Sequence, residues 1–420
     1  MKKLLSVFLF LSILYSCQKT NDDNTSNSKN GNSVSNFVSL DEATKIAEMQ
    51  APTGITNDRV KTLNKQKVKT VFSIKPDSDN PSMYIVNYAN SGFIIVSADN
   101  RLSPVLAYSE NNSFPTDQTV YPGGLVDWLS AIDENVKKIR KDNPKQDEIR
   151  KKLWDKFKIK SVLVAQSSTS LKSALDVNEC TSVGQLQTYF YSKGPLTLST
   201  WDQGNGYNEL LKYSGCPYQN GRTNGRVWTG CTATSTAQVM RYWQYPTSYN
   251  WAAMPYYSGS AETSRLMRDI GLPTNLNMDY SSCEASGARD SDIPATLSHY
   301  GYPASNFTDY NYTTVKGQIQ NNRPVILSGG SKVGWWVFGK YTLGHSWVCD
   351  GFEEWQYFTC QFDPNTPGEW IEYYVNYDVA LSMNWGWGGY YNGWYSAYNF
   401  SPGTHSYNYQ TKMVINIRKP

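Results

Sequence analysis

The sequence predicts an α+β protein of two folded domains, the first a mixed α/β unit and the second strand-rich. Three observations support this. A chain of 420 residues exceeds what one hydrophobic core usually supports. Between residues 37 and 165, runs of helical spacing stand beside β-rich runs. From about Val183 the composition changes, with most of the 14 Trp and 31 Tyr lying beyond it among many Gly and Asn and few charges. That pattern suits strands with aromatic cross-strand pairs and tight turns.

Taken in order, residues 1–16 carry two lysines and then an apolar stretch from Leu4 to Tyr15, the form of an export signal and about half of what a bilayer-spanning helix needs. The stretch ends in Leu-Tyr-Ser-Cys17, which resembles the bacterial lipoprotein box. Cys17 is therefore expected to be lipid-modified and to anchor the mature protein to a membrane. Residues 17–36 are almost entirely small and polar, too poor in apolar groups to offset the entropy of folding, and read as a flexible tether.

The first folded domain, 37–165, opens with Ser39 and Glu42 spaced as a capping box ahead of a helix whose stripe includes Leu40, Ala43 and Ala47. Met83–Tyr88 and Gly92–Ser97, broken by Ala-Asn-Ser, read as a hairpin. Leu125, Leu129, Ile132, Val136 and Ile139 recur at helical spacing. The basic run from Lys137 to Lys160 is interrupted by four acids and reads as a solvated helical face. Residues 166–182 are the expected interdomain linker, leaving 183–420 as the second domain. The net charge of +3, from 39 basic and 36 acidic residues, points to no nucleic-acid partner.

In the second domain, Gly230-Cys231 precedes small residues and then a helical pattern with Ala233, Ala237 and Met240 facing inward. A cysteine at a helix N-terminus meets unpaired amides and the helix dipole, which favour the thiolate. The same stretch also suits a buried structural cysteine. Of three histidines, His345 lies in Gly344-His-Ser-Trp-Val-Cys-Asp-Gly351, an apolar strand signal able to hold an imidazole rigidly. His299 looks like a helix end and His405 like part of a polar loop. Asn384-Trp385-Gly-Trp-Gly-Gly389 offers an amide to orient the imidazole and an indole to shield it. Gln203 offers a side-chain donor for an oxyanion.

In this order the four motifs resemble the streptopain family of papain-like cysteine proteases: Trp201-Asp-Gln-Gly-x-x-Tyr-Asn208, Gly230-Cys-x-Ala-Thr-x-x-Ala-Gln-Val-Met-x-Tyr242, Gly344-His-x-x-Val-x-Asp-Gly351 and Asn384–Gly389. Tyr84–Tyr88, Gly92–Asp99 and Pro104–Ser109 look like that family's inhibitory prodomain. The resemblance implies a papain-like catalytic fold, with a helical part carrying Cys231 and an antiparallel β part carrying His345, preceded by a separate prodomain. It also implies a zymogen that cleaves protein or peptide substrates without a cofactor and is inhibited by its own prodomain. Cys231 would be nucleophile, His345 base, Asn384 the orienting amide, Trp385 the shield and Gln203 the oxyanion donor.

The chain departs from the family in an insertion, Phe352–Met383, which must loop out for Asn384 to serve. Cys349 reads either as a core residue pointing away from the imidazole or as half of a disulfide with Cys360. With Cys17 lipidated and Cys231 free, the five remaining cysteines, Cys180, Cys216, Cys283, Cys349 and Cys360, allow at most two disulfides. Gly334–Lys340 nearly spells a phosphate-binding loop, but Tyr341 stands where a Ser or Thr is needed. No His-Glu-x-x-His, Cys-x-x-Cys or Gly-x-Ser-x-Gly occurs, so neither a catalytic metal nor a serine hydrolase elbow is expected. Two rivals stand beside the protease: a transglutaminase-like acyl transferase using Asp350 or another acid, and a catalytically silent surface adhesin.

Overall fold

Period-two alternation buries both faces of the N-terminal hairpin, and this organises the first half of the molecule. The computed structural model describes residues 35–55, 63–74, 80–118, 121–164, 180–218, 222–329, 344–397 and 412–420. Cys17 with the rest of the leader and tether up to residue 34, His405 and the 334–341 motif lie outside the described residues. The first half runs α1 (Leu40–Gln50), β1 (Thr53–Ile55), β2 (Leu63–Lys65), β3 (Val68–Ile74), β4 (Met83–Tyr88), β5 (Phe93–Ser97), β6 (Val105–Ser109), α2 (Gly123–Asp142) and α3 (Glu148–Val164).

The capping box on α1 forms as expected: Ser39 Oγ accepts from the Glu42 amide at 3.2 Å, and the Glu42 carboxylate accepts from the Ser39 amide at 2.9 Å. The buried stripe is Ala43, Ile46 and Ala47, while Leu40 is half exposed. This stripe and Trp154 of α3 cover Tyr84, Val86, Ile94 and Val96. The alternate residues Met83, Ile85, Phe93 and Ile95 face Leu125, Leu129, Ile132, Val136 and Ile139 of α2. Asn143, at φ 45°, ends α2 and splits the basic run into two helices. Beside the solvated face that the run presents, Ile149, Arg150 and Trp154 are buried and form the inner face of α3.

The second half comprises β7 (Leu186–Lys193), α4 (Cys231–Trp243), α5 (Ala261–Ile270), α6 (Ile293–His299), β8 (Asn306–Asp309), α7 (Tyr312–Gln320), β9 (Val325–Gly329), β10 (His345–Phe362), β11 (Trp370–Asn384), β12 (Gly393–Ser396) and β13 (Lys412–Ile415). Helices α4, α5 and α6 share a core with Trp201, Tyr249 and Trp251, which also takes in Ile326, Val348 and Val414 from the strands. Disulfides join Cys216 to Cys283 and Cys180 to Cys360.

Strand β6 pairs antiparallel with β12, Ala107 opposite Tyr395 and Tyr108 opposite Trp394, so the two halves share one sheet ordered β3-β4-β5-β6-β12-β11-β10-β9-β13-β8, with β7 on the far part of β10. The N-terminal unit is thus continuous with the sheet it covers. Around this seam Arg150 donates to both oxygens of Asp378 at 3.0 and 3.3 Å. The Trp128 indole N–H donates to the Ser396 carbonyl at 3.0 Å. Gly124 lies so close to the Trp347 ring that a Cβ there would stand 2.6 Å from it.

The insertion does not loop out. It continues β10 and β11 as an antiparallel ribbon from Phe362↔Trp370 back to Val348↔Asn384, with register shifts at Tyr357/Phe358 and Cys349/Gly351, which returns Asn384 to the site.

Candidate active site

Cys231 opens α4 from Gly230, whose φ of 85° and closeness to the Ser286 carbonyl, 2.7 Å from where a Cβ would stand, leave room only for glycine. Small residues inside α4 let it bury nearly all of its length, so the half-buried thiol is fixed in place. His345 starts β10, paired with Gly329 of β9, and is almost wholly buried. The Cys231 sulfur accepts the backbone N–H of Ser346, the residue after His345, and that of Thr232.

His345 Nε2 lies 2.8 Å from the Trp385 carbonyl. A carbonyl can only accept, so Nε2 carries the proton and Nδ1 is the basic nitrogen. Trp347 stacks on the imidazole at 6.0 Å between centroids and 11° between planes, with Trp385 and Trp387 at 6.4 and 6.5 Å.

Electrostatically the pair is neutral in this form. Burial, then the charge of Asp290, push the Cys231 thiol up to about 11, and the amide donors only partly offset them. Burial brings His345 down to about 4, against the pull of the Trp385 carbonyl.

The Asn384 amide, expected to orient His345, points elsewhere. Nδ2 donates to the Ser199 carbonyl at 2.6 Å and to Gln238 Oε1 at 3.0 Å, while Oδ1 accepts from the Gly386 amide at 3.3 Å. The orienting acceptor is the next residue's carbonyl, because the tight turn at Gly386, φ 72°, aims main chain rather than side chain at the ring. The Trp385 indole is buried, tilted 30° to the imidazole with ring centres 6.4 Å apart, and donates to the Tyr391 carbonyl at 3.1 Å. Gln203 sits on a loop tied to both neighbours: its carbonyl accepts from the Thr229 amide at 3.0 Å, and its Nε2 reaches the Gly386 carbonyl at 3.4 Å.

Cys349 is free and buried, and Cys360 pairs with Cys180, so the expected alternative of a Cys349–Cys360 bridge does not form. Nor does Cys349 point away from the imidazole. It shares the face of Trp347 and His345, as period two along β10 requires. Asp350 accepts from Thr197 and Ser382, remote from the role a transferase would give it.

Two working residues escaped sequence reasoning. Gln238 joins Trp201 N, at 3.1 Å, to Asn384, and as a fully buried glutamine on an apolar helix face it was the one legible signal. Asp290 gave none. Among the described residues no group of three His, Cys, Asp or Glu is placed to hold a metal.

A half-buried thiol at a helix start, an imidazole held by a carbonyl and a covering N-terminal domain define a cysteine peptidase in zymogen form. Residues 35–136 match the Spi protease inhibitor family, and 201–250 with 247–395 match the Peptidase C10 family. The chain belongs to the peptidase C10, or streptopain, family, with a Spi-type inhibitor prodomain. Streptopain of Streptococcus pyogenes is 26% identical, the match covering 80% of this chain and 81% of that protein. A thiol protease/hemagglutinin of Porphyromonas gingivalis is 23% identical, over 74% of this chain and 33% of that protein. A prointerpain A fragment from Prevotella intermedia shares the fold at a TM-score of 0.52 and 22% identity, covering 84% of this chain and 99% of that one.

Proposed function

We propose that the chain is an exported, lipid-anchored endopeptidase whose chemistry runs through Cys231 and His345. The observation that carries the catalytic reading is the meeting of the Cys231 sulfur with the amide following His345. Nδ1 of His345 takes the thiol proton as the Cys231 sulfur attacks a peptide carbonyl. The oxyanion is stabilised by the Cys231 amide and Gln203. The imidazolium then protonates the leaving amine, and water hydrolyses the thioester.

In this reading Trp385 orients His345 with its carbonyl and shields it with its indole, and Asn384 fixes the turn that presents that carbonyl. Residues 37–165 inhibit until the 166–182 linker is cut, freeing 183–420. Residues 1–16 direct export and are removed, and lipidated Cys17 with the tether to residue 36 holds the protein at the outer membrane or cell surface. The anchor rests on the sequence pattern alone, and a Cys17→Ala chain should leave the membrane fraction.

The decisive comparison expresses residues 18–420 as wild type and Cys231→Ala, with a trace of trypsin. Wild type should shrink to the catalytic half and gain casein hydrolysis sensitive to a thiol-directed epoxide. Equal nicking with no casein cleavage in either chain would overturn the assignment.

A further inference from the structure

Asp290 is a half-buried carboxylate that the mechanism above leaves unused. It lies in a short 3-10 turn, Asp290–Asp292, immediately before α6. Its Oδ1 accepts from Thr232 Oγ1 at 3.1 Å and from the Ser346 hydroxyl, and the Ser328 hydroxyl also reaches the carboxylate. Thr232 follows Cys231 on α4, and Ser346 follows His345 on β10. One carboxylate therefore bridges the helix that bears the thiol and the strand that bears the imidazole, one residue away from each. Ser328 adds β9, the strand paired with the His345 end of β10.

We propose that Asp290 is a positioning residue: it clamps Thr232 to Ser346 so that Cys231 and His345 keep their register across the two parts of the catalytic domain, and its charge sets where the shared proton resides. This rests on the reading of Cys231 and His345 as nucleophile and base.

The surroundings favour an electrostatic role beside the mechanical one. The groups facing Asp290 are hydroxyls from α4, β9 and β10, together with Cys231. On its own turn, Arg289 is turned toward Asp292 at 3.3 Å and is largely exposed. No Lys or Arg pairs with Asp290 among the described residues. On the prodomain side, Asp127 of α2 approaches Gly329 and departs with the prodomain. The Asp290 field is thus uncompensated at Cys231, where it opposes the thiolate, and by the same sign it favours the imidazolium.

The test activates full-length zymogens of wild type, Asp290→Asn and Asp290→Ala and measures kcat/KM for a peptidyl coumarin amide across pH, with iodoacetamide inactivation rates in parallel. Asparagine keeps an acceptor and loses the charge, so both limbs of the bell should move to lower pH by about one unit, with the peak kept within severalfold. Alanine should lower kcat at least about tenfold with KM near wild type. Limbs that stay in place in Asp290→Asn, together with Asp290→Ala activity within about twofold of wild type, overturn the inference.

Should Asp290→Ala fail to fold, Thr232→Val and Ser346→Ala probe the clamp with the charge intact. Each should lower kcat severalfold without moving the limbs, and unchanged kcat in both overturns it. Failure of the protease reading would show in wild type as no turnover and no Cys231 alkylation, whereas failure of the clamp shows only in the variants.

Discussion

Replacing Arg150 by methionine should loosen the prodomain without touching the catalytic residues. Arg150 and Asp378 are 5% and 11% exposed at their side chains, and lie 228 residues apart across the seam. Losing one partner of such a buried pair costs about 3–5 kcal/mol. Asp378 would keep hydroxyl donors from Tyr357 at 2.9 Å and Ser103 at 3.2 Å. Burial already raises its carboxyl against the opposing pull of Arg150, so the orphaned group can take up a proton in part. We therefore take the lower bound, about 3 kcal/mol, which is roughly a hundredfold in the population of undocked prodomain.

The assay is the rate at which the uncut zymogen is captured by a thiol-directed epoxide at pH 7.5, read by mass spectrometry, with the melting temperature alongside. Capture should rise by about that factor, and the rise should shrink toward acid pH as Asp378 becomes protonated. A wild-type capture rate together with a wild-type melting temperature would refute the argument that this pair holds the latch.

Three further outcomes follow from the same geometry. With its thiol pushed up to about 11, Cys231 in the uncut zymogen should be alkylated by iodoacetamide at pH 7 about a hundredfold more slowly than an ordinary cysteine near 9; alkylation at the ordinary rate would contradict the burial argument. Burial raises the Glu353 carboxyl to about 7, opposed by the Tyr108 hydroxyl at 2.8 Å and reinforced by Glu110. A free carboxyl loses its proton near 4.5 while the docked one keeps it, so prodomain docking should weaken as pH rises from about 4.5 to 7 and stay weak above. Glu353→Gln should flatten that dependence of epoxide capture. Asn384→Ala, which leaves the Ser199 carbonyl and Gln238 unsatisfied, should cost about 1–3 kcal/mol of stability. It should nonetheless retain turnover within about tenfold, because the carbonyl on His345 belongs to Trp385; turnover as low as that of Cys231→Ala would return the orienting role to the amide.

What the sequence determined by itself were features set by neighbours in the chain. The capping box at Ser39, the hairpin at Ala89–Ser91, the amphipathic spacing of α2 and the placing of Cys231 at a helix start all depend on contacts within a few residues, so periodicity and capping chemistry suffice to read them. Four motifs taken together singled out Cys231 and His345, whose elements α4 and β10 pack against each other. Tertiary structure decided what depends on which strands become neighbours. It continued the insertion as a ribbon, joined Cys180 to Cys360 across 180 residues, and merged the prodomain sheet with the catalytic one through β6 and β12. It also swung the Asn384 amide toward Ser199, leaving His345 to the Trp385 carbonyl, and set Asp290 between Thr232 and Ser346. A main-chain carbonyl has no letter in the sequence, and a carboxylate 59 residues beyond Cys231 gains its meaning only when two separate elements fold against it.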